Sequence, residues 1–238
     1  MELIDLNRFI NYINLTRNYK KYFLLNNDNA IILIAIIQSE DKKLSKLYFR
    51  YGAMNSGKST HLMQVAYNYE ERGMKVLLLK PSTDKKGGDK LVSRLGVERK
   101  VDILVSDDDN VFSKVSNIVR EFGDIHCILV DDVQFMNAKQ IDELFMIAVK
   151  MDIPVICYGL RTDFRMNGFE GSSRLLLLAH SIEEMKTICK CGNKALFNAR
   201  KINGKFVFAG EQVAIDHIDN VEYESLCGKC YYKYMEEK

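Results

Sequence analysis

Two neighbouring carboxylates, Asp131 and Asp132, end the apolar run Ile128-Leu129-Val130, and a lysine and a serine end the stretch Gly52-Ala53-Met54-Asn55-Ser56-Gly57-Lys58-Ser59. That stretch fits the phosphate-cradling pattern G-x-x-x-x-G-K-[ST]. Residues of these types suit the handling of nucleotide phosphates. Gly52 and Gly57 let the backbone turn and approach phosphate oxygens, so that successive N–H groups and the positive end of a helix dipole face the anion. Lys58 is expected to reach the β- and γ-phosphates. The Ser59 hydroxyl is expected to ligate Mg²⁺, with Asp131, at the end of a Walker-B-like strand, holding the ion from the other side. Taken singly, the loop also fits a glycine turn with a solvated lysine, and the two aspartates a solvated strand end. Their joint occurrence favours a phosphate site.

A second set of reactive side chains lies late in the chain. Cys189-x-Cys191 and Cys227-x-x-Cys230, separated by residues 192–226, resemble the halves of a tetrahedral structural zinc site. The one-residue gap of the first pair is tighter than usual, but in an extended strand Cys189 and Cys191 share a face, so joint ligation is feasible. Reduced, unliganded thiols are the alternative. Cys127 and Cys157 fall in apolar runs and read as small buried hydrophobes.

The elements that must position these residues can be read from periodicity. Lys46-Leu47-Tyr48-Phe49-Arg50-Tyr51 alternates like a strand, and Thr60 to Arg72 lacks Gly and Pro and reads as a helix, so the loop has the required strand-loop-helix setting. Lys75–Lys80 reads as a buried parallel strand stopped by Pro81. Residues 82–96 read as a polar loop, mobile by composition around Thr83–Asp89, of the kind that covers active sites or simply lies in solvent. A strand at Asp102–Val105, a helix at Asn110–Phe122, a strand at Ile125–Val130, a helix at Ala138–Met151 and a strand at Pro154–Tyr158 complete an α/β alternation. The fold expected is a P-loop, RecA-like parallel sheet flanked by helices. Ligands of such sheets sit beyond the carboxyl ends of the strands, where Gly52–Ser59, Asp131-Asp132 and Gly159–Gly171 all fall. From about residue 186 short β segments and polar turns take over, implying a small C-terminal zinc-binding β-rich domain. The expected division is 1–43 as an extension of unknown role, 44–185 as the nucleotide-binding domain and 186–238 as the zinc-binding domain.

Composition sets bounds on function. With 47% hydrophobic and 28% charged residues in 238, the chain has material for a full core, and a formal charge of +2 with no basic stripe makes nucleic acid an unexpected partner. Six cysteines without a secretory signal fit a reducing compartment. The aliphatic run Ala30–Ile37 is too short to span a bilayer, so the expectation is a cytoplasmic protein without a membrane partner. Residues 1–43 fit either a helix and strand packed loosely on the core or a leader translated from an upstream start codon.

The P-loop, the segment Asp131-Asp132-Val133-Gln134-Phe135, the segment Tyr158-Gly159-Leu160-Arg161-Thr162-Asp163-Phe164-Arg165 and the late cysteine pairs, in this order, resemble the type II thymidine kinases over roughly residues 46–234. The resemblance implies a cytosolic, commonly tetrameric enzyme with structural zinc that transfers the γ-phosphoryl of ATP to the 5′-hydroxyl of thymidine or deoxyuridine. It implies that ATP contacts Gly52 to Ser59 and Asp131, Asp132, Val133 and Gln134. It carries Met54, Phe135, Leu160, Phe164 and Phe169 to the walls of a nucleoside pocket, where a flat pyrimidine meets aromatic rings. Tyr223 is carried to a closing loop, the lasso, whose ends the zinc site anchors. Core burial is the bland reading of each Phe.

Asp132 is one residue beyond the metal-binding aspartate, placed to accept the 5′-hydroxyl proton. Here the chain departs from the family, whose second carboxylate is normally Glu. Because a displacement of about 1 Å can cost on the order of 100-fold, either the backbone compensates or turnover is poor. A second departure is Ile215-Asp216-His217-Ile218-Asp219-Asn220, where relatives have Ile-Gly-Gly and a shorter approach to the Tyr. His217, like His61, His126 and His180, reads as an exposed loop residue rather than a catalytic one. Arg161 and Arg165 read equally as stabilisers of the migrating phosphoryl group or as surface ion pairs. The rival classes are a zinc-ribbon P-loop ATPase acting on nucleic acid and a catalytically degenerate nucleotide-binding relative.

Overall fold

The computed structural model describes residues 22–27, 30–35, 44–83, 89–92, 96, 98–212 and 220–237. The core of the expected mobile loop, the expected helix or leader of residues 1–43 apart from two strands, and His217 with the altered lasso sequence lie outside the described residues. The chain divides into two compact units, Met1–Leu44 and Ser45–Lys238. In the first, β1 (Tyr22–Asn27) pairs antiparallel with β2 (Ala30–Ala35), which is most of the aliphatic run.

The second unit is built on a parallel sheet that, among the described residues, has six strands. These are β3 (Leu47–Tyr51), β4 (Val76–Pro81), β7 (Ile103–Val105), β8 (Cys127–Val130), β9 (Val155–Gly159) and β10 (Ser181–Glu184), in the order β10-β3-β9-β8-β4-β7. Every neighbouring pair is parallel. β9 thus lies between the strand that feeds the P-loop and the strand that ends at Asp131, as the RecA-like reading requires. The central strands are buried on both faces, which is why they read as continuous apolar runs rather than as alternation. Along β4, Leu77 and Leu79 join the core on one face, and Val76 and Leu78 the core on the other.

Helices cover both faces. α1 (Lys58–Glu70) lays Leu62, Met63 and Ala66 on the face that carries Leu78 and Tyr158. α2 (Val111–Phe122), α3 (Ala138–Lys150) and α4 (Glu170–Leu178) pack on the opposite face. The helix limits follow local chemistry. Asn110 accepts from Ser113 N–H at the start of α2, and Gly123 at φ +81° ends it. Asn137 and Gln140 form a reciprocal capping box at the start of α3.

Residues 82–96 are not simply a polar loop. β5 (Lys90–Val92) pairs antiparallel with β6 (Glu98–Lys100), because Leu91 is buried in the core beneath α1 and draws this stretch onto the sheet. Nor does the sequence signal α4 or β10. β10 is polar and largely exposed, and it joins the sheet through its backbone pairing with β3.

The remaining residues of the unit form the cysteine lobe. β11 (Thr187–Ile188) pairs with β12 (Lys194–Ala195), and β13 (Phe197–Ile202) lies between β14 (Lys205–Val207) and β15 (Val221–Leu226). The β-rich expectation holds for these strands, while α5 (Gly228–Glu236), capped by Cys227, adds a helix that the sequence did not signal. Among the described residues, no helix is long and apolar enough to cross a membrane.

Candidate active site

The loop from Gly52 to Gly57 runs from the carboxyl end of β3 into α1, so the first N–H groups of the helix point out of the sheet edge. Its glycines are required for different reasons. Gly57 is left-handed at φ +78°, whereas at Gly52 a Cβ would lie 2.3 Å from the Met185 carbonyl oxygen and 2.5 Å from Ser56 Oγ. Asn55 is left-handed at φ 65°, which Asn tolerates better than most residues. Lys58 Nζ donates to Gly52 O at 3.0 Å and Ala53 O at 2.9 Å, folding its charge back over the mouth of the loop.

Ser59 and the carboxylate strand meet as the motif requires. Ser59 Oγ donates to Asp131 Oδ2 at 3.1 Å. Two adjacent ligands of octahedral Mg²⁺, each about 2.05 Å from the ion, lie about 2.9 Å apart, so this pair fits two neighbouring positions of such a shell. Burial, and then the negative charge of Asp132, raise Asp131 to about 7 against the hydrogen bond from Ser59. A cation at this point would favour the ionised carboxylate.

Asp132 is half-buried and left-handed, at φ 46° and ψ 39°. Gln134 Nε2 donates to Asp132 Oδ1 at 2.9 Å, and Gln134 Oε1 accepts Leu160 N–H at 3.0 Å. The amide thus fixes the carboxylate against the start of the loop after β9. Gly159 is needed here for closeness, since a Cβ would lie 2.7 Å from Gln134 Oε1.

The residues expected to line a nucleoside pocket fall into two contacting groups. Phe135 meets Phe169 edge to face at 5.7 Å, and the Leu160 carbonyl accepts from the buried Ser172 hydroxyl. Phe164 and Tyr223 are joined by Arg200, whose guanidinium lies 3.8 Å over the Phe164 ring and donates to Tyr223 Oη at 2.9 Å. Leu160, Phe164 and Phe169 are buried. Met54 is reached through its backbone, by Asn198 and Ser225. Of the two arginines, Arg165 forms a two-pronged pair with buried Asp163, at 3.1 and 3.0 Å, and Arg161 lies 5.4 Å over the Tyr51 ring.

Asn198, Arg200, Ser225 and Tyr231 were not found by sequence reasoning. Arg200 also donates to Glu211 O at 2.8 Å and Gln212 O at 2.9 Å, and Tyr231 Oη donates to Phe164 O at 2.7 Å. A signal for two of them exists: in β13, Phe197 and Ala199 face the lobe's apolar core, so the intervening polar residues Asn198 and Arg200 share the other face. His61 is exposed on α1, within the helix expected at 60–72, and its Nδ1 lies 2.9 Å from Tyr158 Oη. His126 and His180 accept backbone N–H groups from Lys75 and Leu47.

The sulfur atoms of Cys189, Cys191, Cys227 and Cys230 all lie within 4.8 Å of one another. Four thiolates around tetrahedral zinc, each about 2.3 Å from the ion, are about 3.8 Å apart, so the set fits zinc with little adjustment. Asn193 donates its side-chain N–H to Cys191 Sγ at 3.3 Å, and Cys230 N–H donates to Cys227 Sγ at 3.4 Å, supporting the ligands from outside the cluster. Cys127 and Cys157 are fully buried in the sheet, as expected of structural thiols, and burial pushes both well above the usual thiol range.

Comparison with known proteins places this geometry in a family. A model described as thymidine kinase matches residues 45–231. The chain is 44% identical over 194 residues to a thymidine kinase of Shewanella oneidensis, covering 81% of this chain and 99% of that protein. It is 43% identical over 192 residues to a thymidine kinase of Francisella tularensis subsp. holarctica, covering 78% and 96%. A thymidine kinase of Rhodopirellula baltica is 44% identical over 186 residues, covering 77% and 86%.

Proposed function

This chain belongs to the thymidine kinase family, and on that footing we propose that it transfers the γ-phosphoryl group of ATP to the 5′-hydroxyl of thymidine or deoxyuridine in pyrimidine deoxynucleotide salvage. The observation that supports the chemistry most directly is the 3.1 Å contact of Ser59 with Asp131, with Asp132 one residue on and fixed by Gln134.

In this reading ATP lies along Gly52, Ala53, Met54, Asn55, Ser56, Gly57, Lys58 and Ser59, with Val133 and Gln134 beside it. Lys58 turns from the carbonyls of Gly52 and Ala53 to the β- and γ-phosphates. Mg²⁺, held by Ser59 and Asp131, supplies neutralisation of phosphate charge. Asp132 accepts the 5′-hydroxyl proton as the new O–P bond forms and ADP departs. Its backbone is left-handed, a conformation Asp adopts more readily than most residues, and its carboxylate is one methylene shorter than that of Glu. Met54, Phe135, Leu160, Phe164, Phe169 and Tyr223 line the nucleoside site, and Cys189, Cys191, Cys227 and Cys230 hold structural zinc. The reading includes a cytoplasmic homotetramer, with 44–185 as the nucleotide-binding domain, 186–238 as the zinc-binding lasso domain and 1–43 as an extension.

Purified chain with labelled ATP and Mg²⁺ should label thymidine to thymidine monophosphate and leave deoxycytidine unlabelled. Hydrolysis of ATP that depends on single-stranded DNA instead of thymidine would favour the nucleic-acid ATPase. ATP binding without either reaction would favour the degenerate relative.

A further inference from the structure

The phosphate loop is held from outside the core at one residue, Met54. Met54 N–H donates to Asn198 Oδ1 at 2.7 Å, and Ser225 Oγ donates to Met54 O at 2.5 Å. Asn198 and Ser225 are direct partners across the antiparallel pair β13–β15, so they form the two arms of one clamp. Both are buried, at 3% and 7% exposure. From β11, Thr187 Oγ1 adds a contact to Asn55 O at 3.4 Å. The cysteine lobe therefore engages the two residues at which the loop enters its left-handed turn.

We propose that Asn198 and Ser225 are positioning residues for ATP, which fix the backbone of Met54 on both sides of its Cα so that the N–H groups following it converge on the phosphates. The inference rests on the phosphate-binding reading of the loop. The physical need is visible in the loop itself. Its backbone closes through Ser56 N–H to Ala53 O, a long 3.3 Å contact, and Asn55 departs from the usual backbone region. A conformation of this kind persists where its surroundings over-determine it. Holding the two peptide groups that flank Met54, the first by its N–H and the second, immediately before Asn55, by its C=O, removes the rotation about Met54 that would otherwise let the turn relax. An anion site made of backbone N–H groups then needs no reorganisation as ATP arrives.

Asn198 has a second reach. Its Nδ2 lies 3.5 Å from Thr162 O, in the segment that carries Phe164. Met54 also lines the proposed nucleoside site, so the clamp's signature is a fall in nucleotide affinity larger than any fall in thymidine affinity.

The test uses the full zinc-loaded chain and measures binding of Mg²⁺ with a non-hydrolysable ATP analogue by calorimetry, separately from thymidine binding. Ser225→Ala removes one hydroxyl from a buried site and is expected to weaken analogue binding about tenfold, the worth of one lost hydrogen bond to a buried carbonyl. Asn198→Ala is expected to weaken it at least as much. Zinc content and melting temperature of Ser225→Ala should stay within about twofold and a few degrees of the parent, and its thymidine affinity should fall by less than its analogue affinity. Analogue binding unchanged in both variants overturns the inference. So does a parallel fall in analogue affinity, thymidine affinity and zinc content in Ser225→Ala, which would mark general damage to the lobe. A parent chain that binds the analogue but labels no thymidine would break the kinase reading while leaving the clamp measurable. A parent chain that binds no analogue would break both.

Discussion

In the sheet core, Lys58, Ser59, Asp131 and Asp132 are placed by neighbouring elements, each within a residue or two of a strand end or helix start. In the cysteine lobe, Asn198, Arg200, Ser225 and Tyr231 sit within strands and a helix, and they act at a distance by binding backbone groups of Met54, Glu211, Gln212 and Phe164. In the proposed reading the core presents side chains to ligand, while the lobe fixes the backbone that carries other residues to ligand. The two kinds of contribution fail differently. Losing a core group should remove a chemical step with the fold intact, and losing a lobe group should loosen geometry over several residues at once.

Asp132→Asn is the sharpest form of the first kind. The amide can still be bonded by Gln134 but cannot take a proton, so kcat should fall on the order of 1,000-fold while ATP-analogue binding survives. Steady-state kinetics beside calorimetry would check this, and retained turnover would remove Asp132 from the role of base. Asp132→Glu asks the complementary question, because restoring the family's longer carboxylate on this left-handed backbone raises turnover only if reach is limiting.

Removing zinc is the broadest form of the second kind. Strong chelation should unlock β11 to β15 and α5, whose apolar core includes Cys189 and Cys227, while the parallel sheet stays folded. Activity is expected to fall on the order of 100-fold or more through lost positioning. Far-UV circular dichroism should show only a modest loss of helix. Complete unfolding would mean that the core depends on the lobe, and the contrast drawn above would fail.

The core was legible in the sequence because its chemistry is local. A glycine loop between a strand and a helix has a spelling, and an apolar run ending in Asp131-Asp132 announces both strand and site. Asn198 and Ser225 have no such spelling, since their partners are the backbone N–H and C=O of a residue 144 and 171 positions away, and a backbone N–H or C=O leaves no mark on residue choice. The same holds for β10, whose polar side chains conceal a strand held by its backbone. Leu91 is the buried anchor of the β5–β6 hairpin, in a short apolar stretch set among charged residues and glycines. The spacing of the four cysteines signalled their cluster but not the helix α5 that begins within it.

Arg200→Ala should have a smaller effect than zinc loss but a telling one. Arg200 is buried, with its three described hydrogen bonds going to Glu211 O, Gln212 O and Tyr223 Oη. Truncation leaves two carbonyls short of a donor and a gap beside Phe164, at a cost of about 3 kcal/mol. Chemical denaturation would measure that cost. Thymidine KM should rise by more than ATP KM, the reverse of the order expected for Ser225→Ala. Arg200→Lys keeps the charge but not the fork that serves separate acceptors, so it should recover only part of the loss.

The smallest effect belongs to a polar cluster on the core itself, and it tests whether the core is as tolerant as the comparison holds. Arg50 Nη1 donates to Tyr158 Oη at 2.9 Å, so the tyrosine hydroxyl is oriented to donate to His61 Nδ1, also at 2.9 Å. That arrangement requires neutral His61 with Nδ1 unprotonated. Burial, and then the charge of Arg50, lower His61 from its ordinary value. A histidine whose folded value is depressed takes up its proton more readily when unfolded, so the unfolded chain binds more protons as pH falls through the ordinary value near 6.5. Stability should therefore decline from about pH 7 downward, until the folded value is passed and the slope contributed by His61 vanishes. His61→Gln should flatten melting temperature against pH in that window. The ring is largely exposed, so the change should be slight, and it should leave ATP-analogue affinity at neutral pH unaltered. A large loss of nucleotide binding in His61→Gln would mean that α1 transmits strain to the phosphate loop as directly as the lobe does, and the division between presenting side chains and fixing backbone would no longer follow the boundary between core and lobe.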